Sequence, residues 1–382
     1  MKKIIYMGPM EFPDKNAAAQ RVLNISKILS ELGYEVILIG YNRQLNLMNN
    51  AYHHSKVGGF ECYEYPYPET KINWFNKVIS TKEFELVFEK HNPEDIEAVI
   101  LYNYYSIASM RIKKILSEFN VKVISDITEW YSNSRNIFKN IDNFFRMRFV
   151  NLKMDANICI SKYLEKYYHE RKCKTAYIPA IVDSHNTKWN NCHWERPGYP
   201  RVISYVGSPG IREGKDRLDI IVESFKKVRE KNIKYLLNIV GINKEDFLKF
   251  YPDYSKHDFE DINFYGKVNH EIALNIIKKS DYTIFFREIN RVTTAGFPTK
   301  LGESFACGVP VITNSTSDIS DFLIDEENGF IAQNFDLESL VETIEKALLI
   351  DDEKLTEMHT SCRIKNMLDV SNYYNELGML FD

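Results

Sequence analysis

KIIYMGPMEFPDKNAAAQRVLNISKILSELGYEVILIG, Lys3 to Gly40, holds two short apolar runs, KIIYMG and EVILIG, on either side of a longer mixed segment. In that segment Val22, Ile25, Ile28, Leu29 and Leu32 recur at intervals of three and four, which lays one apolar stripe along a helix. The flanking runs are short and rich in isoleucine, as buried strands are. The spacing predicts a strand, a helix over 17–32 broken at Gly33, and a second strand, which together make a β-α-β unit.

The same alternation continues outward. Further apolar runs stand at 98–102 (AVILY), 121–125 (VKVIS), 156–160 (ANICI) and 176–178, with helical stretches between several of them. Strands alternating with helices imply a mostly parallel sheet covered on both faces. After Asp183 the pattern dissolves into the polar, turn-rich SHNTKWNNCHWERPGYP, and at Arg201 it begins again: RVISYVG, a helix over 218–230, YLLNIVG, NFYG, a helix over 271–279, YTIFF, a helix over 301–307, and PVITN. The expected division is an N-terminal Rossmann-like domain over 1–183, a linker over 184–200, a C-terminal Rossmann-like domain over 201–365, and an amphipathic terminal helix within 366–382 whose return to the N-terminal domain is left open. Two such domains facing across a cleft would bind ligands at the carboxyl ends of their strands.

Composition bounds the function. A chain of 382 residues is long for one core at roughly 150 residues per domain. With 44% hydrophobic and 27% charged residues it has the balance of a folded globular protein. A net charge of −4 lacks the basic excess of a nucleic-acid-binding protein, so any anion site must be local. Six scattered cysteines without a CxxC pair argue against zinc and against a disulfide framework, and point to a reducing cytoplasm. Gly8 and Pro9 interrupt the first apolar run, which reads as a strand rather than a signal peptide, and any membrane contact is expected to be peripheral. His53 and His54 read as surface loop, and no histidine pair has metal-ligand spacing.

The chemistry concentrates in GFPTKLGESFACGVPVI, Gly296 to Ile312. A loop leads into a helix whose first amides, from Thr299 and Lys300 because Pro298 has none to donate, would face an anion. The Lys300 charge suits a diphosphate there, and Glu303, one turn inward, can accept from both hydroxyls of a ribose. A solvated lysine and a glutamate answering the helix dipole explain the same residues, and both readings stand at this point.

This segment resembles the donor-binding signature of family 4 glycosyltransferases, retaining enzymes of the GT-B fold. Glu303, Phe297, Ala306, Gly308, Pro310 and Val311 match its pattern, whereas Ala295 stands where the family has a first acid that contacts the donor sugar. The resemblance extends to VGSPGIREGKDRLDIIVESF (206–225), where Arg212 and Lys215 match a basic pair that clamps the donor phosphates, and to YGKV (265–268), where Gly266 and Lys267 fall at the turn that reads the nucleotide base. In FFREINRVTTAGF, Arg287 and Arg291 stand shortly before Ala295, and one of them with Glu288 is expected to reshape the sugar or phosphate pocket. In VISDITEW, Asp126 falls near the family's sugar-contacting histidine, and Glu129 follows it; a substrate contact and a helix cap are the two readings of each. The loop from Gly8 to Ala19 carries alanines and Asn16 where the family is glycine-rich.

The resemblance implies a catalytic set of Asp126, Glu129, Arg212 and Lys215. The implied donor set is Arg212, Lys215, Gly266, Lys267, Arg287, Thr299, Lys300 and Glu303. It implies a UDP- or GDP-sugar as substrate, no cofactor and no obligatory metal, and a glycan or lipid-linked acceptor in capsule or lipopolysaccharide synthesis. A non-catalytic partner subunit and a nucleotide-sugar epimerase on the same fold remain as alternatives. Finally, SRNIFKNIDNFFRMRFVNLK (134–153) interleaves Arg135, Lys139, Arg146, Arg148 and Lys153 with Phe138, Phe144, Phe145 and Phe149. It suits an anionic lipid surface or, equally, a helix whose aromatics are core.

Overall fold

The computed structural model describes residues 1–13, 15–45, 52–68, 70–130, 137–189, 199–209 and 215–382. The opening unit forms as its periodicity predicts: β1 (Lys3–Met7) and β2 (Glu35–Asn42) run parallel, joined through the helix Ala17–Glu31. Asn16, in the segment where the family is glycine-rich, caps that helix, its Oδ1 accepting from the Ala19 amide at 2.9 Å. Val22, Ile25, Ile28 and Leu29 are wholly buried beneath it.

The chain divides into two compact units. The first comprises Met1–Ile181, Ala295–Phe297 and Val370–Asp382. Its remaining strands are β3 (His53–Val57), β4 (Phe60–Pro66), β5 (Ile96–Tyr102), β6 (Lys122–Ile127), β7 (Ala156–Cys159) and β8 (Thr175–Tyr177), in the order β3-β4-β2-β1-β5-β6-β7-β8. All neighbours are parallel except the β3–β4 hairpin. That hairpin corrects the loop expected at His53 and His54: His54 lies on an edge strand, stacked on Tyr63 and 3.0 Å from Glu61. The two faces of the sheet carry separate apolar clusters, one around Ile4, Val22 and Ile100, the other around Ile5, Val99 and Ile112.

The second unit comprises Val182–Thr294 and Pro298–Asp369. Its strands are β9 (Arg201–Val206), β10 (Tyr235–Val240), β11 (Ile262–Gly266), β12 (Tyr282–Ile284), β13 (Val311–Asn314) and β14 (Gly329–Ala332), all parallel in the order β11-β10-β9-β12-β13-β14. In each sheet the first strand lies between its successor and a later strand, so the order reverses at β1/β5 and again at β9/β12. Such switch points open a crevice at the carboxyl ends of the strands.

Two segments differ from expectation. Residues 182–183, read as the end of the N-terminal domain, and 184–189, read as the start of a linker, pack into the second unit: Trp189 is buried with Leu274 and Val309, its Nε1 donating to the Asp183 carbonyl at 2.6 Å. The terminal segment is not one helix but a short turn, Val370–Tyr373, followed by Tyr374–Gly378. Val370, Tyr373, Leu377 and Leu380 still bury themselves in the first unit beside Ile4 and Val22.

Candidate functional site

At the second unit's switch point the strand ends bring one carboxylate and three donors together. Asp216 Oδ1 accepts from Arg287 Nε at 2.8 Å, Oδ2 accepts from the Tyr205 hydroxyl at 3.0 Å, and Lys300 Nζ pairs with the same Oδ2. Tyr205 comes from β9, Arg287 from just beyond β12, and Lys300 from the first turn of the helix Thr299–Ala306. Backbone bonds hold the loop ends: the Arg217 amide donates to Phe286 at 2.8 Å, and the Arg287 amide to Asn314 Oδ1 at 2.8 Å. Burial alone would push Asp216 up, but Lys300 and Arg287 outweigh it and hold the carboxyl well below its usual range. Burial pulls the Lys300 ammonium down; Asp216 opposes this and Arg287 adds to it.

Gly207, at the end of β9, makes room for that lysine. Its φ is +146°, and a Cβ there would stand 2.4 Å from Lys300 Cε. Gly266 is different. Its φ of +65° suits glycine, yet a Cβ would meet nothing nearer than Asn243 at 3.8 Å, so the turn and not crowding demands it.

Glu303 lies one turn inside the helix, partly exposed, with Oε1 3.5 Å from His270 Nε2. Thr299 opens the helix after Pro298, Lys267 is exposed beyond β11, and Lys215 is half-buried next to Asp216. Lys300 and Arg287 thus meet on one carboxylate. Arg212 lies outside the described residues. Ala295 is wholly buried, its carbonyl accepting from Ser161 Oγ at 2.8 Å within the first unit. Among the described residues no group of histidine, cysteine and acidic side chains could hold a metal ion.

Asp126 is a correction. It is wholly buried at the end of β6, and both carboxylate oxygens are engaged: Arg21 donates through Nε and Nη2 at 2.8–3.0 Å, and Tyr6 through its hydroxyl at 2.5 Å. Arg21 Nη1 also donates to the carbonyls of Ile178 and Pro179, each at 2.8 Å. Burial disfavours the guanidinium's charge, but Asp126 outweighs it and raises the Arg21 pKa. The carboxylate therefore ties strands to helix and offers no lone pair to a sugar. Glu129, half-buried just beyond, helps to raise the Tyr102 pKa, which burial drives chiefly.

Sequence reasoning missed Asp216 and Arg21, and each left a signal. An acid directly after Lys215, in a loop expected to meet Lys300 and Arg287, invites pairing. Arg21 precedes Ile25 and Ile28 by one and two turns, a charge on the apolar stripe that burial obliges to find a partner.

Two doubly wound units, one with a cation cluster at its switch point, have the GT-B fold. Residues 196–363 match the family described as glycosyl transferases group 1. The capsular polysaccharide biosynthesis glycosyltransferase CapM of Staphylococcus aureus is 28% identical over 196 residues, 47% of this chain and 46% of the relative, so the match spans about half the length of that curated protein. Sucrose-phosphate synthase from Thermosynechococcus elongatus superposes with a TM-score of 0.69 at 14% identity, covering 100% of this chain and 98% of that one. The E. coli trehalose-6-phosphate protein bound with UDP-2-fluoro glucose gives 0.73 at 8% identity, covering 100% and 99%. Likeness at such identities speaks to the fold.

Proposed function

We propose that the chain is a retaining glycosyltransferase that moves a sugar from a nucleotide diphosphate donor, a UDP- or GDP-sugar, to a hydroxyl of a glycan or lipid-linked acceptor. The observation that carries this reading is the convergence of Lys300 and Arg287 at the β9/β12 switch point, beside the first-turn amides of Thr299 and Lys300 and one turn from Glu303. Cations and amides fixed before the reaction stabilise the negative charge that grows on a departing diphosphate. Lys215 and Arg212 add charge from the adjacent loop, Glu303 takes the ribose hydroxyls, and the turn at Gly266 and Lys267 meets the base. The departing phosphate takes the acceptor's proton on the same face as transfer, so neither a paired carboxylate nor a bound metal is required.

The likeness to CapM supports a role in cell-surface polysaccharide synthesis, with the enzyme on the cytoplasmic side. No helix among the described residues is long and apolar enough to cross a membrane. A second reading, a folded subunit that binds without transferring, is favoured by the buried Ala295 at the place of the family's first acid.

A thermal-shift and nucleotide-release screen against UDP-, GDP-, ADP- and dTDP-sugars tests the first reading, with Glu303→Ala alongside. Stabilisation and slow release by one donor, both lost in the variant, are expected. Binding without release under any acceptor would favour the second reading, and no response to any donor would overturn the first.

A further inference from the structure

The helix Ile137–Phe145 is built inside out. Asn143 is buried and Asp142 turns inward to accept from the Ser106 amide at 2.9 Å, whereas Ile137, Phe138, Ile141, Phe144 and Phe145 are 45–70% exposed. The chain continues in a widened π turn, Arg146–Val150, whose buried Arg146 donates to Asn103 and Asn143 at 2.8 Å. At α-helical pitch Phe149 would stand about 140° round from Phe144. An i→i+5 turn brings it back to the same side. The rings of Phe144, Phe145 and Phe149 accordingly form a half-exposed cluster with centroids 5.7–6.2 Å apart, and the Arg148 guanidinium lies 4.3 Å over Phe144.

Adjoining helices extend this surface. Ser106–Leu116 turns Ile107, Arg111 and Lys114 outward at i, i+4 and i+7, and Lys71–Ile79, packed against it through Trp74 and Tyr105, exposes Ile72 and Phe75. Residues 71–79, 106–116 and 137–153 together hold nine lysines and arginines against Asp142 as their one acid, in a chain whose net charge is −4. Of these Arg146 is buried, and Lys77 and Lys113 pair with Glu83 and Asp155, so the outward charge rests on Arg111, Lys114, Lys139, Arg148 and Lys153. Monomeric proteins rarely leave a contiguous apolar face of this kind to water without an interaction to serve. A second copy is a poor occupant, because two such faces would bring like charges together.

We infer that this face docks on an anionic lipid surface, the phenylalanines entering the boundary between headgroups and acyl chains while the lysines and arginines meet lipid phosphate. The inference stands on the first unit alone and does not rest on the donor site. It removes core as the explanation of the aromatics, because the polar side of the helix is the buried one.

The full chain would be floated with vesicles of phosphatidylcholine alone and of phosphatidylcholine with phosphatidylglycerol, beside Phe144→Ser/Phe145→Ser and Lys139→Glu/Lys153→Glu. The expected result is binding only to the phosphatidylglycerol vesicles, weakened at least tenfold in both variants at unchanged melting temperature. Absence of binding to those vesicles, or binding equal in the variants, would overturn the inference. So would sedimentation velocity in which the wild type is a dimer that Phe144→Ser/Phe145→Ser dissociates, since the occupant would then be a second copy.

Discussion

Asp216 and Arg287 are joined twice, by the Oδ1···Nε hydrogen bond of 2.8 Å and by an isolated antiparallel backbone bridge between the same two residues. The loop after β9 is thereby tied to the loop after β12, and the carboxylate that ties them also holds Lys300. Breaking a buried ion pair by removing one partner typically costs about 3–5 kcal/mol, because the other charge is left without compensation. Asp216→Asn should therefore lower the unfolding free energy of the second unit by roughly that amount. Urea titration measures it, and Asp216→Asn/Arg287→Met should recover part of the loss.

Lys300 is held on the protein's own carboxylate, which a donor diphosphate would replace as its partner. A charge-assisted contact contributes about 1.5–3 kcal/mol, so Lys300→Met should weaken donor binding roughly ten- to a hundredfold. Gly207→Ala should act in the same direction, since its Cβ would fall 2.4 Å from Lys300 Cε and displace the ammonium. Calorimetric titration with the donor identified by the screen reads both. Unchanged affinity in Lys300→Met would remove this residue from the site.

Asp126 has its stabilising role written in its partners. Asp126→Asn should cost about 3–5 kcal/mol through the stranded Arg21, while turnover per folded molecule, measured well below the melting temperature, stays within a few-fold. A large loss of turnover without loss of stability would restore it to the substrate. Arg21→Met/Asp126→Leu should recover only in part, because the carbonyls of Ile178 and Pro179 lose their donor.

His359, buried with Nε2 3.0 Å from the Asp281 carbonyl, has its pKa lowered to about 3, chiefly by burial. The unfolded chain takes up its proton near pH 6.5. The stability that the neutral ring contributes is complete above that pH and is lost as pH falls toward 3, at roughly 1.4 kcal/mol per pH unit. His359→Gln should flatten this acid limb, as melting curves between pH 7 and pH 4 would record.

The sequence determined the strand-helix alternation, because stripes at helical spacing and short isoleucine-rich runs can be buried in few ways. Those runs located β1, β2 and β5 to β13 within a few residues. The loop cations at Lys215, Arg287 and Lys300 were legible for the same reason: the alternation places them just past strand ends or at a helix start. Which acid would answer them was not. Asp216 and Lys300 are 84 residues apart, and Asp126 and Arg21 are 105, so only the closing of each sheet decides the pairing. The same holds for the phenylalanines of 137–149. Their spacing fits a buried or an exposed stripe, and the choice was made elsewhere, by Ser106 and Asn103 drawing Asp142 and Arg146 inward.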